Sequence, residues 1–211
     1  MAIDATNGEA ELEARDPDVR LMLRVRDDDP GAFEELVRAY QSRLLGVLTH
    51  LIGKADEAED LTQDVFLRIY KARKGYRPRA KFSTWLFTIA NNLALNHLRG
   101  RARNHTVALD GGALNTSSIG TPTDRATSRE GTASAQMRQV ELSDVVREAL
   151  DELGEDQRLA VLLNKFEEMS YADIATVMGR TEAAVKSLLA RARMNLRDRL
   201  EPYLRTGQKG G

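Results

Sequence analysis

Along most of the chain apolar residues recur every three to four positions, and the runs are separated by glycine, proline and polar clusters. In DDDPGAFEELVRAYQSRLLGVLTHLIG, Phe33, Leu36, Val37, Tyr40, Leu44, Val47, Leu48 and Leu51 share one helical stripe. Asp29 is the expected N-cap of that helix, Pro30 its first residue and Gly53 its end. The next run, KADEAEDLTQDVFLRIYKARKGY, turns Ala58, Leu61, Val65 and Ile69 inward; acids open it and bases close it, as the helix dipole favours. A third, FSTWLFTIANNLALNHLRGRAR, starts near Ser83 and buries Leu86, Ile89, Ala90 and Leu93. From Asn104 to about Ala135 the period disappears into a Gly-, Ser- and Thr-rich stretch that cannot bury enough apolar surface to offset its ordering entropy, which makes it a linker. Periodicity resumes at Met137 with two helices broken at Gly154, followed by YADIATVMGRTEAAVKSLLARAR.

The pattern predicts an all-α protein of two small, independent helical domains. Their expected limits are a disordered arm over 1–26, a first domain over 27–104, a linker over 105–136, a second domain over 137–204 and a disordered tail over 205–211. Composition agrees: 42% hydrophobic and 30% charged residues among 211, with few aromatics and prolines, suit one or two small helical cores. There is no cysteine, which excludes disulfides and thiolate metal sites. No apolar run approaches the roughly 20 residues that span a bilayer. MAIDATNGEAELEARD lacks the basic start and apolar stretch of a secretory signal, so a cytoplasmic protein without membrane insertion is expected.

The net charge of −1 conceals an asymmetry. Acids dominate from Asp27 to Asp64, whereas Val65 to Leu109 holds ten Lys or Arg and no acid: Arg68, Lys71, Arg73, Lys74, Arg77, Arg79, Lys81, Arg99, Arg101 and Arg103. A charge run is ordinarily a solvated helix face. Here the bases are interleaved with Tyr76, Phe82, Trp85 and Phe87, a mixture of phosphate-binding cations and stacking rings that suits single-stranded nucleic acid. Core packing is the plain alternative for Trp85 and Phe87, and at least one of the two is expected inside.

Between Tyr171 and Arg193, Ile174, Ala175, Met178, Val185 and Leu188 let two short helices cross closely, with Gly179 making the turn and Thr181 capping the second helix. The exposed start of that helix, Glu182, Ala183, Lys186 and Ser187, would face a major groove, and Arg191 and Arg193 the phosphates. By itself a helix pair of this kind is common in helical proteins.

Taken together, the motifs resemble the bacterial sigma-70 family in its smallest branch, the extracytoplasmic-function sigma factors. DPGAFEELVRAYQSRLL, AEDLTQDVFLRIY and FSTWLFTIANNLALNHLR resemble sigma region 2; LGEDQRLAVLL and SYADIATVMGRTEAAVKSLLARARMNLRDRL resemble region 4. The resemblance implies a subunit that binds core RNA polymerase and directs promoter-specific initiation. Asp60, Gln63 and Asp64 would dock on the polymerase. Tyr76, Arg77, Arg79, Lys81, Phe82, Trp85 and Asn92 would capture the melted minus-ten element, and Thr181, Glu182, Ala183, Lys186, Ser187 and Arg191 would read the minus-thirty-five element. The linker would thread the polymerase between the domains. The implied partners are core RNA polymerase and promoter DNA, with an anti-sigma factor left open, and the free protein would be monomeric. Arg180, Leu188, Asn96, Gly154 and the loop YRPRAKF depart from common family residues.

Two other classes compete. A freestanding helix-turn-helix regulator would need a dimer seam or a sensor domain, and neither is evident. An enzyme would need a catalytic constellation. There is no phosphate-binding glycine loop and no metal spacing among His50, His97 and His105, so no catalytic residue, cofactor or metal is assigned.

Overall fold

The computed structural model describes residues 2–108 and 133–206. Among these the chain forms nine α-helices and one 3-10 turn, without a strand. The residues expected to be a disordered arm form instead α1 (Ala2–Arg15) and α2 (Pro17–Arg26). Between them Asp16 is an N-cap whose Oδ1 accepts from the amides of Asp18 (2.9 Å) and Val19 (3.4 Å), with Pro17 at the first position of α2. Val19, Leu21, Met22, Leu23 and Val25 of α2 are buried in the main core. Burial of such side chains is worth about 1.5–3 kcal/mol each, enough to order ten residues that look too short and too charged to stand alone.

The expected start of α3 is also corrected. This helix spans Ala32–Ile52, because Gly31 takes a left-handed φ of 82° and so cannot continue a helix from Pro30. Asp29 contributes its backbone carbonyl to the Ala32 amide, while its carboxylate accepts from Arg24 Nε at 2.6 Å. Gly53 ends α3 with φ 74°, as the sequence suggests. Leu36, Tyr40, Leu44, Val47 and Leu48 are buried, with Phe33, Val37 and Leu51 packed at the margin. α4 (Ala55–Ala72) lies against α3 with Ala58, Val65 and Ile69 inside. The turn Arg73–Gly75 then leads through the loop at 76–81 into α5 (Phe82–Ala108). The Asp16 carboxylate reaches this point too: Oδ2 accepts from the Phe82 amide at 3.0 Å, so one side chain caps both α2 and α5.

The second half comprises α6 (Ala133–Asp151), α7 (Glu155–Lys165), α8 (Tyr171–Met178) and α9 (Glu182–Thr206). Residues 105–108 and 133–136, assigned to the linker by composition, are helical; the remainder of that linker at 109–132 and the last five residues of the tail at 207–211 lie outside the described residues. Ser170 caps α8 and Gly179 closes it at φ 61°, followed by Thr181 Oγ1 accepting from the Ala184 amide at 3.2 Å.

The halves are not independent. α8 packs on α5 and α7 on α3, and one continuous cluster of buried apolar residues draws on both halves. Asn91 Nδ2, inside the interface, donates to Val177 O at 3.2 Å. Arg43 pairs at 2.6 Å with Glu167, whose side chain is only 2% exposed, and Arg158 donates to His50 O at 2.9 Å. Burial raises the Glu167 carboxyl above its usual range, and Arg43 offsets only part of that cost. The partners come from residues that also fit amphipathic surface helices, so sequence periodicity does not distinguish docking from exposure.

Candidate polymerase and promoter interfaces

Three surfaces carry the sequence-predicted residues. On α4, the face opposite Ala58, Val65 and Ile69 presents Asp60 and Gln63 exposed and Asp64 partly so, its carboxylate accepting from Arg68 Nε at 3.2 Å. Sequence reasoning missed Leu67, which is 54% exposed. It sits seven residues after Asp60 and three after Asp64, so all three share a face. A leucine outside the buried 58–65–69 stripe is the signal that could have found it. Tyr70, one turn on and also exposed, stacks on Phe33 and carries the Arg73 guanidinium over its ring at 3.9 Å. An exposed leucine and tyrosine rimmed by acids suit a protein partner.

The second surface is the loop at 76–81 with the start of α5. The structure separates its expected residues into supports and presented groups. Tyr76 (5% exposed) and Phe82 (0%) lie in the core, where neither ring is presented to a partner. Trp85, half-buried, bridges them with ring centroids 4.9 Å from Tyr76 and 6.0 Å from Phe82. Phe82 also meets the edge of Tyr40, whose hydroxyl donates to Asp18 at 2.5 Å. Phe87 is core, as expected of at least one of the pair. Among the described residues the Tyr76 hydroxyl has no hydrogen-bond partner, and burial raises its pKa. These aromatics underlie the loop from which Arg77, Arg79 and Lys81 stand exposed, and Asn92 is exposed further along α5.

The basic stretch is more compensated than its composition suggests. Asp28, at a left-handed φ of 59°, takes Arg73 at 3.2 Å and also Lys74. Arg68 pairs with Asp64, Arg101 with Glu57 and Lys81 with Asp173. Among the described residues no ion pair involves Arg77, Arg79 or Arg99, and the first two project from the loop itself. Arg77 and Arg79 thus leave uncompensated positive charge on the loop, and among the described residues Lys71, Arg99 and Arg103 on the flanking helices are likewise without an ion pair.

The third surface is the start of α9. Thr181, Glu182, Ala183, Lys186, Ser187 and Arg191 are all exposed along one edge, while Val185, Leu189 and Ala192 hold the helix to its neighbours. Leu188, an expected contact between the two helices, is only half-buried. Arg191 folds back on its own helix, Nη2 donating to Ser187 Oγ at 3.2 Å, and Arg193 donates to the Tyr171 hydroxyl at 3.1 Å. Arg180, in the turn, pairs with Asp156 at 2.6 Å and so tethers the turn to α7.

The histidines are placed structurally. His97 Nε2 lies 2.9 Å from Glu57, and burial lowers the pKa of half-buried His50. His105 side-chain placement lies outside the described residues. Among the described residues no group of three or more His, Cys, Asp or Glu side chains is arranged to hold a metal, and no helix is long and apolar enough to cross a membrane.

Comparison with known proteins follows the same division. Sigma-70 region 2 matches residues 36–104 and Sigma-70, region 4 matches residues 143–196. The chain is 35% identical over 191 residues to the RNA polymerase sigma-H factor of Pseudomonas aeruginosa, covering 90% of this chain and 97% of that protein. It is 32% identical over 189 residues to the ECF RNA polymerase sigma-E factor of Haemophilus influenzae, covering 89% and 97%. Among solved structures, the sigma factor RpoE from Bartonella quintana, determined with the anti-sigma factor NepR, superposes with a TM-score of 0.63 at 26% identity over 81% of this chain and 98% of that one. The chain belongs to the sigma-70 family, in the extracytoplasmic-function branch.

Proposed function

We infer that the protein is a sigma subunit that binds core RNA polymerase and directs promoter-specific initiation of transcription in the cytoplasm. The observation that carries this reading is the presence, on one chain and in the family's order, of an exposed face on α4 that joins Leu67 to acids, a basic loop braced by aromatics, and a helix-turn-helix with an exposed edge on its second helix. On this reading Asp60, Gln63 and Asp64, with Leu67 at their centre, meet the polymerase. Arg77, Arg79, Lys81 and Asn92 engage the displaced minus-ten strand, with Tyr76, Phe82 and Trp85 holding them in place. Thr181, Glu182, Ala183, Lys186, Ser187 and Arg191 meet the minus-thirty-five duplex.

The chemistry is recognition rather than bond making. Cations neutralise phosphates and release counterions, and donors on the exposed edge of α9 read base edges. A single recognition helix contacts few phosphates, so the free chain binds duplex weakly and gains specificity through the polymerase. The relative solved with NepR makes an anti-sigma factor a candidate partner of this chain as well. Retention of core RNA polymerase by the tagged full chain tests the reading: stoichiometric retention supports it. Failure to retain core, together with tight promoter footprinting by the chain alone, would instead favour a freestanding regulator.

A further inference from the structure

Where α5 passes α7 and the turn between α8 and α9, the two halves do not close fully on each other. They leave a partly open cavity of about 250 Å³. Leu51, Leu95, Leu98 and Met178 line it, each only half-buried, together with buried Ala94 and Leu159. Pockets for drug-sized ligands run from about 300 to 1,000 Å³, so this one suits a smaller molecule with an apolar body. The charged groups on its lining are unevenly satisfied. Arg180 and Asp156 pair with each other at 2.6 Å. Arg99 of α5 and Glu155 of α7 line the same cavity and are exposed, yet among the described residues neither enters an ion pair, with each other or with any other group. Asn91, 6% exposed, adds an acceptor: Nδ2 is held by Val177 O at 3.2 Å, which leaves Oδ1 without a donor among the described residues.

We propose that this cavity is a binding site for a free apolar α-amino acid, whose carboxylate meets Arg99, whose ammonium meets Glu155 and Asn91 Oδ1, and whose side chain covers the leucines and Met178. Two opposite charges that share one small cavity without meeting are matched together only by a ligand that carries both. A simple anion would leave Glu155 without a partner, and a simple cation would leave Arg99 so. The guanidinium adds a forked donor geometry that fits a carboxylate. No residue assigned to the polymerase or to promoter DNA lines the cavity, so the proposal is independent of that reading.

Isothermal titration of the full chain with leucine, methionine and phenylalanine tests the site. At least one of them should bind saturably, a single molecule per chain, and raise the melting temperature, as a ligand specific to the folded state does. Glycine, which carries both charges but no apolar body, should not bind. The N-acetyl derivative and the amide of the amino acid that binds each discard one charge, and each should bind at least about tenfold more weakly. Arg99→Gln and Glu155→Gln should weaken binding to a similar degree. Both side chains are exposed, so melts of the ligand-free variants should match the parent, which assigns any loss to the site and not to the fold. The proposal is overturned if none of these amino acids saturates the chain up to about 10 mM, if the N-acetyl derivative binds as well as the free amino acid, or if both variants bind like the parent.

Discussion

The loop leading into α5 and the start of α9 are both expected to touch DNA, yet they are built in opposite ways. The first rests on rings that meet tilted or edge-on, is capped by Asp16, 66 residues earlier in the chain, and has Lys81 already engaged by an anion. The second is an exposed edge whose Arg191, among the described residues, hydrogen-bonds only to Ser187 of the same helix. The difference fits the targets proposed for them. Melted strands offer flexible backbones and bare bases, so the protein must supply the rigidity; a duplex supplies its own, and a helix with free side chains suffices.

That contrast depends on the polymerase holding both surfaces on one promoter, so the largest expected effect lies on α4. Leu67→Lys or Asp60→Lys should weaken core binding by at least about 2 kcal/mol, roughly thirtyfold, if this face is the centre of the interface. Competition against a labelled sigma subunit for limiting core measures it; unchanged affinity would move the interface off α4. Next in size, Lys186→Ala should cost about 1–3 kcal/mol at the minus-thirty-five element and relax preference at one or two base pairs. Arg191→Ala should weaken all promoter sequences alike and lower the salt slope by about one unit. A promoter-library selection with holoenzyme at several salt concentrations distinguishes them, and equal, sequence-independent losses would deny Lys186 a base-reading task.

Smaller still is the brace behind the loop. Asp16→Ala removes the cap of α2 and an acceptor at the start of α5 and should cost about 1 kcal/mol of stability. It should also slow promoter opening while closed-complex affinity holds, and Asp16→Ser should restore part of both. The smallest effect concerns His50. Burial depresses its folded pKa, so below the unfolded value of about 6.5 the unfolded chain binds more protons and stability falls as pH falls. Melting curves of His50→Gln should lose part of the destabilisation seen between pH 7 and pH 5.5. An unaltered slope would assign that destabilisation to other groups.

Sequence alone displays the helices whose apolar stripes are long and whose ends are marked: Gly53, Gly179 and Thr181 perform the local tasks that their chemistry suggests. It does not display α2, where PDVRLMLRVR is brief and flanked by acids, because its stability comes from packing against α3 and not from its own propensity. Nor does it display the domain contact. Asn91, Glu167 and Asp173 are polar residues that periodicity assigns to surfaces, and only the placement of α8 on α5 reveals what they meet. Within the loop, aromatic residues interleaved with bases suggest stacking partners for DNA, but Tyr76 and Phe82 pack inward, Phe82 against the edge of Tyr40 and Tyr76 tilted against Trp85. Leu67 shows the reverse: an apolar residue left outside the stripe points to a partner beyond the chain.

The division of labour between α5 and α9 is tested most directly by measuring closed-complex formation and permanganate reactivity of promoter thymines in parallel, on holoenzyme carrying Asn92→Ala or Lys186→Ala. Asn92 is exposed and outside the core, so its truncation leaves the fold in place. The account predicts that Asn92→Ala binds the closed duplex normally and loses thymine reactivity, whereas Lys186→Ala loses closed binding and opens whatever it binds. The opposite pattern, with Asn92→Ala failing at the duplex and melting normally once bound, would contradict it.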